Sequence, residues 1–227
     1  MVRPDLSPTL TYETRLWAAG YRRVAGLDEA GRGAWAGPVV AAAVILPPGD
    51  PDLAHHLAGV RDSKTLSAAR REALLEVIQG HALAWGIGAV PPAGIDELGI
   101  VPATRTAMAL ALQALSPSPD YLLIDYLSLP DVSIPQQGLP KGDAAVLSIA
   151  AASIVAKVSR DAMMVELGDR FPGYGFARHK GYGTALHQHA LAALGPISIH
   201  RLSFAPLQRL GAGGPGSMAR PDQEGAR

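Results

Sequence analysis

"GLDEAGRGAWAGPVV", residues 26–40, sets Asp28, Glu29 and Arg32 among glycines and then runs without a break into apolar sequence. It reads as the joint between two strands. Val24 to Asp28 is a short apolar run ending in acids, and Pro38 to Leu46 is a second run rich in Val, Ile and Ala, closed by "PPG". Short apolar runs bounded by Gly and Pro are the pattern of buried strands. The link between these two is too short for a crossover helix, so the strands must pair antiparallel.

Outward from this joint, helices and strands alternate. "SAARREALLEVIQ", residues 67–79, predicts a helix that Ser67 can cap, with Leu74, Leu75 and Ile78 on its apolar side. "ALAWGIGAV", 82–90, is a strand weakened by its glycines; 101–115 is a helix with Pro102 near its first turn; "DYLLIDY", 120–126, is a strand. Residues 127–141 contain Pro130, Pro135, Gly138 and Pro140 without periodicity and are expected to form a loop. From Gly142 to Arg170 the pattern is one long helix, with Asp143 where its N-cap should be and small residues at 150–153 that permit close packing on a sheet. A short helix is expected from Thr184 to Leu194, after "HKGYGT". The fold class is therefore α/β, a mixed sheet with helices packed on it. One domain is expected over residues 16–210, after an N-terminal extension at 1–15 and before a glycine-rich tail at 211–227 expected to be disordered.

Of the 227 residues, 48% are apolar and 18% charged, which excludes a disordered or polyanion-coating protein and indicates one well-buried domain. The net charge is zero, so a polyanionic partner must be met by local positive charge. Between Arg170 and Arg220 there is no Asp or Glu, while Arg178, Lys180, Arg201 and Arg209 supply cations beside His179, His187, His189 and His200. Arg178, Lys180 and Arg201 are expected along a phosphate path, the alternative being a solvated face. "HQH" at 187–189 is not a metal pair, because residues two apart face different sides of a helix. With no cysteine there is neither disulfide nor thiolate metal site. The longest low-charge run, after Ala34, is broken by Pro47 and Pro48, and the N-terminus lacks an apolar stretch of signal-peptide length. A cytoplasmic monomer, away from membranes, is the expectation.

The acids carry the chemistry. If the strands ending at Asp28 and Asp125 are parallel neighbours, their carboxylates lie roughly 5 Å apart, and Asp143 can reach the same place. Like charges that close resist ionising together unless a cation intervenes, and oxygen ligands without cysteine suit magnesium or manganese rather than zinc. Glu29 faces away from Asp28 in a regular strand, so both can hold metal only if the backbone twists or bulges there. Each acid taken singly also has a structural use, capping a turn or a helix.

Together, "GLDEAGRGAWAGPVVAAAV", "DSKTLS" at 62–67, "LLID" at 122–125, "KGDAAVLSIAAASIVAKVSRD" at 141–161, "HKGYGT" at 179–184 and "HRLSF" at 200–204 resemble the successive signatures of the ribonuclease HII family, in order, from about Leu16 to Leu207. The resemblance implies a ribonuclease H-like fold: a mixed five-stranded sheet flanked by helices, with a small C-terminal helical segment. It implies hydrolysis of the RNA strand of RNA–DNA hybrids and cutting 5' to single ribonucleotides in duplex DNA, with two Mg2+ or Mn2+ ions. The products would carry 3'-hydroxyl and 5'-phosphate ends, and the role would be ribonucleotide and RNA-primer removal. By the same resemblance Asp28, Glu29, Asp125 and Asp143 are the metal-binding catalytic acids, and the backbone of Gly31, Arg32 and Gly33 senses the ribose 2'-hydroxyl. Lys64 lies near the phosphates, Tyr182 stacks on the sugar after the ribonucleotide, and Lys180 is counted with the substrate-binding residues. Two positions depart from the family pattern: Tyr126 stands where glycine is frequent, and Trp35 follows the "GRG" stretch. Rival readings are weaker. A glycosidase wants an aromatic-lined cleft, and aromatics are 5% of the chain. An inactive hybrid-binding module has no use for four acids that repel phosphate. The sister enzyme ribonuclease HIII has an additional N-terminal domain, for which no room is expected here.

Overall fold

The structure, a computed structural model, describes residues 7–212. The strand joint is present: β1 (Val24–Ala30) pairs antiparallel with β2 (Val39–Ile45), from Ala25↔Ile45 to Ala30↔Val40. On its other side β2 pairs antiparallel with β3 (Ala84–Val90), while β1 pairs in parallel with β4 (Tyr121–Asp125), and β4 in parallel with β5 (Gln136–Leu139). The order β3-β2-β1-β4-β5 is the expected mixed five-stranded sheet.

The helices are α1 (Thr11–Ala18), α2 (Leu53–His56), α3 (Ala68–His81), α4 (Pro92–Leu98), α5 (Ile100–Gln113), α6 (Gly142–Ala145), α7 (Leu147–Arg170), α8 (Phe176–His179), α9 (Ala185–Leu194) and α10 (Ala205–Ala212). They cover both faces of the sheet. On one face Leu27, Ile45 and Ile124 meet Ala103, Ala107 and Ala111 of α5; on the other, Ala42 and Val44 meet the Ala150–Ala152 run and Ile154 of α7 together with Leu74 and Ile78 of α3. Covered twice, β2 is buried at all seven positions, which is why it reads as a continuous apolar run. The small residues let backbones approach. A Cβ at Gly26 would lie 2.2 Å from the Ser148 carbonyl carbon, and one at Gly88 2.2 Å from the Ala107 oxygen. The glycines that weaken β3 as a strand pattern are thus the seat of α5.

Four expectations need correction. β1 does not end at Asp28 but runs two residues further, to Ala30. The expected loop at 127–141 contains β5, whose residues Gln136, Gln137 and Gly138 carry no apolar signal because it is a largely solvent-facing edge strand. The helix expected from Gly142 is two helices: Val146 is extended (φ −117°, ψ 122°) and separates α6 from α7. Asp143 is therefore in the first turn of α6 and is not the N-cap of the long helix. The break is made by the N-terminal segment. Thr9 bridges to Val146, its carbonyl accepts the Leu147 N–H, and the buried Glu13 carboxylate accepts the Ser148 N–H at 2.8 Å, capping α7 from a distance. α1, which carries Glu13, crosses the boundary expected between residues 15 and 16. Residues 213–227 of the expected tail lie outside the described residues. No helix among those described is long and apolar enough to cross a membrane.

Candidate active site

The register Leu27↔Ile124 sets Asp28 beside Asp125, where two parallel neighbours end on one side of the sheet. The chain then brings in a third acid. Asp125 Oδ1 accepts the Gly142 N–H at 2.7 Å, fixing the start of α6, and Asp143 is the next residue. One carboxylate oxygen from each of Asp28, Asp125 and Asp143 lies within 4.8 Å of the others, the only such acid group among the described residues. Burial pushes the Asp28 carboxyl well above its usual range, and the charges of Glu29 and Asp125 push it further; burial and then Asp143 raise Asp125.

Glu29 is held apart from this trio. β1 pairs regularly with β2 through Ala30, so no bulge turns Glu29 towards Asp28. Its Oε1 accepts from Arg32 Nη1 at 3.2 Å, while Oε2 is buried without a partner. Burial raises the Glu29 carboxyl despite Arg32. Both residues nevertheless line one cavity of about 490 Å³ at the end of β1, along with Gly31, Arg32, Gly33, Lys64, Asp125 and Tyr182. Opposite faces of a strand reach a common space where the strand stops.

Around the acids, the other expected residues take distinct places. Lys64, in a 3-10 turn over Ser63–Thr65, directs its Nζ to Asp143 Oδ2 at 3.4 Å and is otherwise exposed. Gly31 has φ +87° and presses on Arg160, where a Cβ would come within 1.8 Å of Nε; no side-chain-bearing residue fits. Gly33 borders open space. Tyr182 presents its ring 5.4 Å from the Arg160 guanidinium and 5.9 Å from Lys157 Nζ. Lys180 stands outside this cavity and lines a neighbouring one of about 150 Å³, with Arg71 at the border of both. Tyr126, at φ +60°, adopts the left-handed backbone that explains a frequent glycine there. The residue is 67% exposed and is not among the described residues lining the cavity. Trp35 packs over Gly183, where a Cβ would come within 2.2 Å of the indole.

Arg201 is a correction: it is fully buried and cannot lie along a phosphate path, whereas Arg178 is exposed and Lys180 half-buried. His179, His187 and His200 are likewise buried, while His189 faces solvent, away from His187. Sequence reasoning also missed Ser63, Arg71 and Lys157, which line the cavity. Only the helical spacing of Ser153, Lys157 and Asp161 hinted at Lys157, whose Nζ meets Asp161 Oδ1 at 2.6 Å.

A sequence model described as ribonuclease HII matches residues 25–207. The ribonuclease HII of Chloroflexus aurantiacus is 55% identical over 203 residues, spanning 88% of this chain and 94% of that protein. The ribonuclease HII of Dehalococcoides mccartyi is 51% identical over 208 residues, spanning 90% of this chain and 96% of that protein. In three dimensions the chain is similar to the crystal structure of ribonuclease H2 from Pyrococcus horikoshii, with TM-score 0.69 and 25% identity over 82% of this chain and 96% of that one.

Proposed function

Because the chain belongs to the ribonuclease HII family, it is a ribonuclease H, an endonuclease, and we propose that Asp28, Glu29, Asp125 and Asp143 carry its chemistry by holding two divalent ions. The acid trio is the observation that carries this reading. Three carboxylates within 4.8 Å, two of them raised by burial and mutual repulsion, form a site that a hard cation would stabilise. Glu29 Oε2, buried without a partner, offers a further oxygen. Magnesium or manganese fits this all-oxygen set. Two such ions supply a water made nucleophilic near neutral pH and stabilise the charge developing on phosphorus and on the leaving 3'-oxygen.

The remaining residues recognise the strand. Gly31, Arg32 and Gly33 bring main-chain groups close to the ribose, where the 2'-hydroxyl is what separates RNA from DNA. Lys64, with its Nζ at the rim beside Asp143, draws the phosphate to the acids. Arg32 steadies Glu29. Tyr182 offers an aromatic face to the next sugar, favouring the less polar deoxyribose, and Lys180 neutralises a phosphate beyond it. The substrates are RNA–DNA hybrids and duplex DNA containing single ribonucleotides. The cut falls 5' to the ribonucleotide and leaves 3'-hydroxyl and 5'-phosphate ends, as ribonucleotide and primer removal requires.

A duplex with one embedded ribonucleotide tests this directly. Magnesium or manganese should support a single cut on the 5' side, and chelation should abolish it. Tyr182→Ala should lose more on this duplex than on a long hybrid. A cut on the 3' side, or cleavage that survives chelation, would overturn the mechanism; equal losses by Tyr182→Ala would reduce Tyr182 to a packing residue.

A further inference from the structure

Arg160 and Arg201 are the largest fully buried side chains, and neither has a carboxylate partner within 4 Å among the described residues. Burying a guanidinium is costly unless its donors are satisfied. Here all three Arg160 nitrogens and two of the three Arg201 nitrogens are spent on backbone carbonyls, while Arg201 Nη2 is buried without a partner. Arg160 Nε donates to Pro38 O at 2.9 Å, Nη2 to Ala36 O at 3.1 Å and Nη1 to Lys180 O at 3.0 Å. Arg201 Nε donates to Gly37 O and Nη1 to Arg32 O, each at 3.0 Å. Two cations that elsewhere would bind phosphate are thus locked into the frame of two loops.

Those loops are the ones on which recognition depends. Residues 31–38 follow β1 and contain the glycines facing the ribose, and residues 179–183 carry Tyr182. Arg160 hydrogen-bonds to both, since its planar fork spans Ala36 and Pro38 on one loop and Lys180 on the other. The same guanidinium underlies Gly31 and lies 5.4 Å from the Tyr182 ring. The loops also bond directly, Gly181 O accepting the Trp35 N–H at 2.8 Å and the Ala36 N–H at 3.3 Å. Lys180 holds φ 52°, a left-handed backbone that costs a residue with a side chain, to present its carbonyl to Arg160, and Gly181 follows at φ 81°, which glycine adopts freely. Lysine cannot reproduce the fork, because an ammonium is a compact point donor and not a planar set of five.

We propose that Arg160 is a positioning residue for substrate discrimination. Its guanidinium fixes the distance between the loop that meets the 2'-hydroxyl and the ring of Tyr182, so that ribose on one nucleotide and deoxyribose on the next are recognised as one unit. Arg201 braces the same first loop through the carbonyls of Arg32 and Gly37. The proposal rests on the roles given above to Gly31–Gly33 and Tyr182. It places the preference for a junction in a buried arginine that touches no nucleic acid.

The test compares Arg160→Lys with the unaltered enzyme on two substrates, a duplex with one ribonucleotide and a long hybrid, with melting temperature measured alongside. The ratio of kcat/KM values on these substrates should fall about tenfold or more, since small misplacements of a positioning group cost that much. In a Tyr182→Ala background, Arg160→Lys should change the ratio little further, because both act through one contact. If Arg160→Lys does not fold, Arg201→Lys replaces it: releasing Arg32 O should lower the same ratio. Equal losses on the two substrates, or effects that add fully in the double variant, would show a purely structural arginine and overturn the proposal. A changed ratio for Tyr182→Ala with none for either arginine variant would overturn it while leaving Tyr182's role standing. An unchanged ratio for Tyr182→Ala would remove both.

Discussion

Asp28 sits where burial, then Glu29, then Asp125 oppose its ionisation, while its bond from the Glu29 N–H at 2.7 Å, a contact with Ser153 and the attraction of Lys64 favour the charge. A carboxylate so placed makes the metal-free protein less stable than a neutral isostere would. Asp28→Asn should therefore lose at least about 10²–10³-fold in cleavage, the scale of removing one electrostatic contact to a transition state. Without metal its melting temperature should equal or exceed that of the unaltered protein. Addition of magnesium should raise the melting temperature of the unaltered protein and not that of the variant, by the linkage of ligand binding to folding. Near-normal activity in Asp28→Asn, or an equal thermal response to magnesium, would remove Asp28 from the site. Asp28, Asp125 and Asp143 were legible in the sequence as acids at strand and helix ends that could converge. The separate station of Glu29 was legible only as a conflict, a residue on the wrong face of a regular strand, and the structure leaves it on its own with Arg32.

At the scale of elements, the apolar runs were legible because burial on both faces removes polar alternation, as in β2. β5 was not, since an edge strand of Gln and Gly is specified by its partner β4 and by Gln136, whose amide bonds Leu129 and Val132 of the preceding loop. The break before α7 was invisible for a related reason: its cause is Thr9 and Glu13, more than 130 residues away in sequence. The segment 179–200 hides a third long-range device. Gly181 N–H donates to His179 Nδ1, leaving Nε2 to donate to Tyr174 O at 2.7 Å. Ile197 N–H donates to His200 Nδ1, so His200 Nε2 donates to His187 Nε2 at 3.1 Å, and His187 Nδ1 donates to Tyr182 O at 3.0 Å. Burial favours the neutral rings of His187 and His200. Burial, with His179 and His200 adding to it, lowers His187 from an ordinary 6.5 to about 4. Between those values the unfolded chain binds a proton that the folded chain refuses, so stability is lost as pH falls from about 6.5 towards 4. The loss is at most about 1.4 kcal/mol per pH unit for one such group. Unfolding in denaturant at pH 7 and pH 5 should show a steeper decline for the unaltered protein than for His187→Asn. Parallel declines would mean that His187 is protonated in the folded state.

For the whole molecule, composition was a sound guide to burial and a poor one to the use of its charges. Zero net charge means that no general field draws a polyanion in, and the run from Arg170 to Arg209 without an acid suggested a basic face. In the fold that run divides. Arg178 is exposed and Lys180 half-buried beside the smaller cavity, while Arg201 is spent on the carbonyls of Arg32 and Gly37. Residue type cannot separate these fates, because a guanidinium satisfies a backbone as well as a phosphate. Salt dependence does separate them, since each phosphate neutralised releases counterions and adds about 0.9 to the slope of log affinity against log salt. Binding of a hybrid should be measured in an Asp28→Asn background, where cleavage does not intervene. Arg178→Gln and Lys180→Gln should each flatten the slope by roughly one unit. Arg105→Gln, on α5 across the sheet and bonded to Ser128 O, should leave it unchanged. A slope unaltered by both Arg178→Gln and Lys180→Gln would mean that the basic run is merely solvated, and that the strand is held by Lys64, Arg32 and the metal site alone.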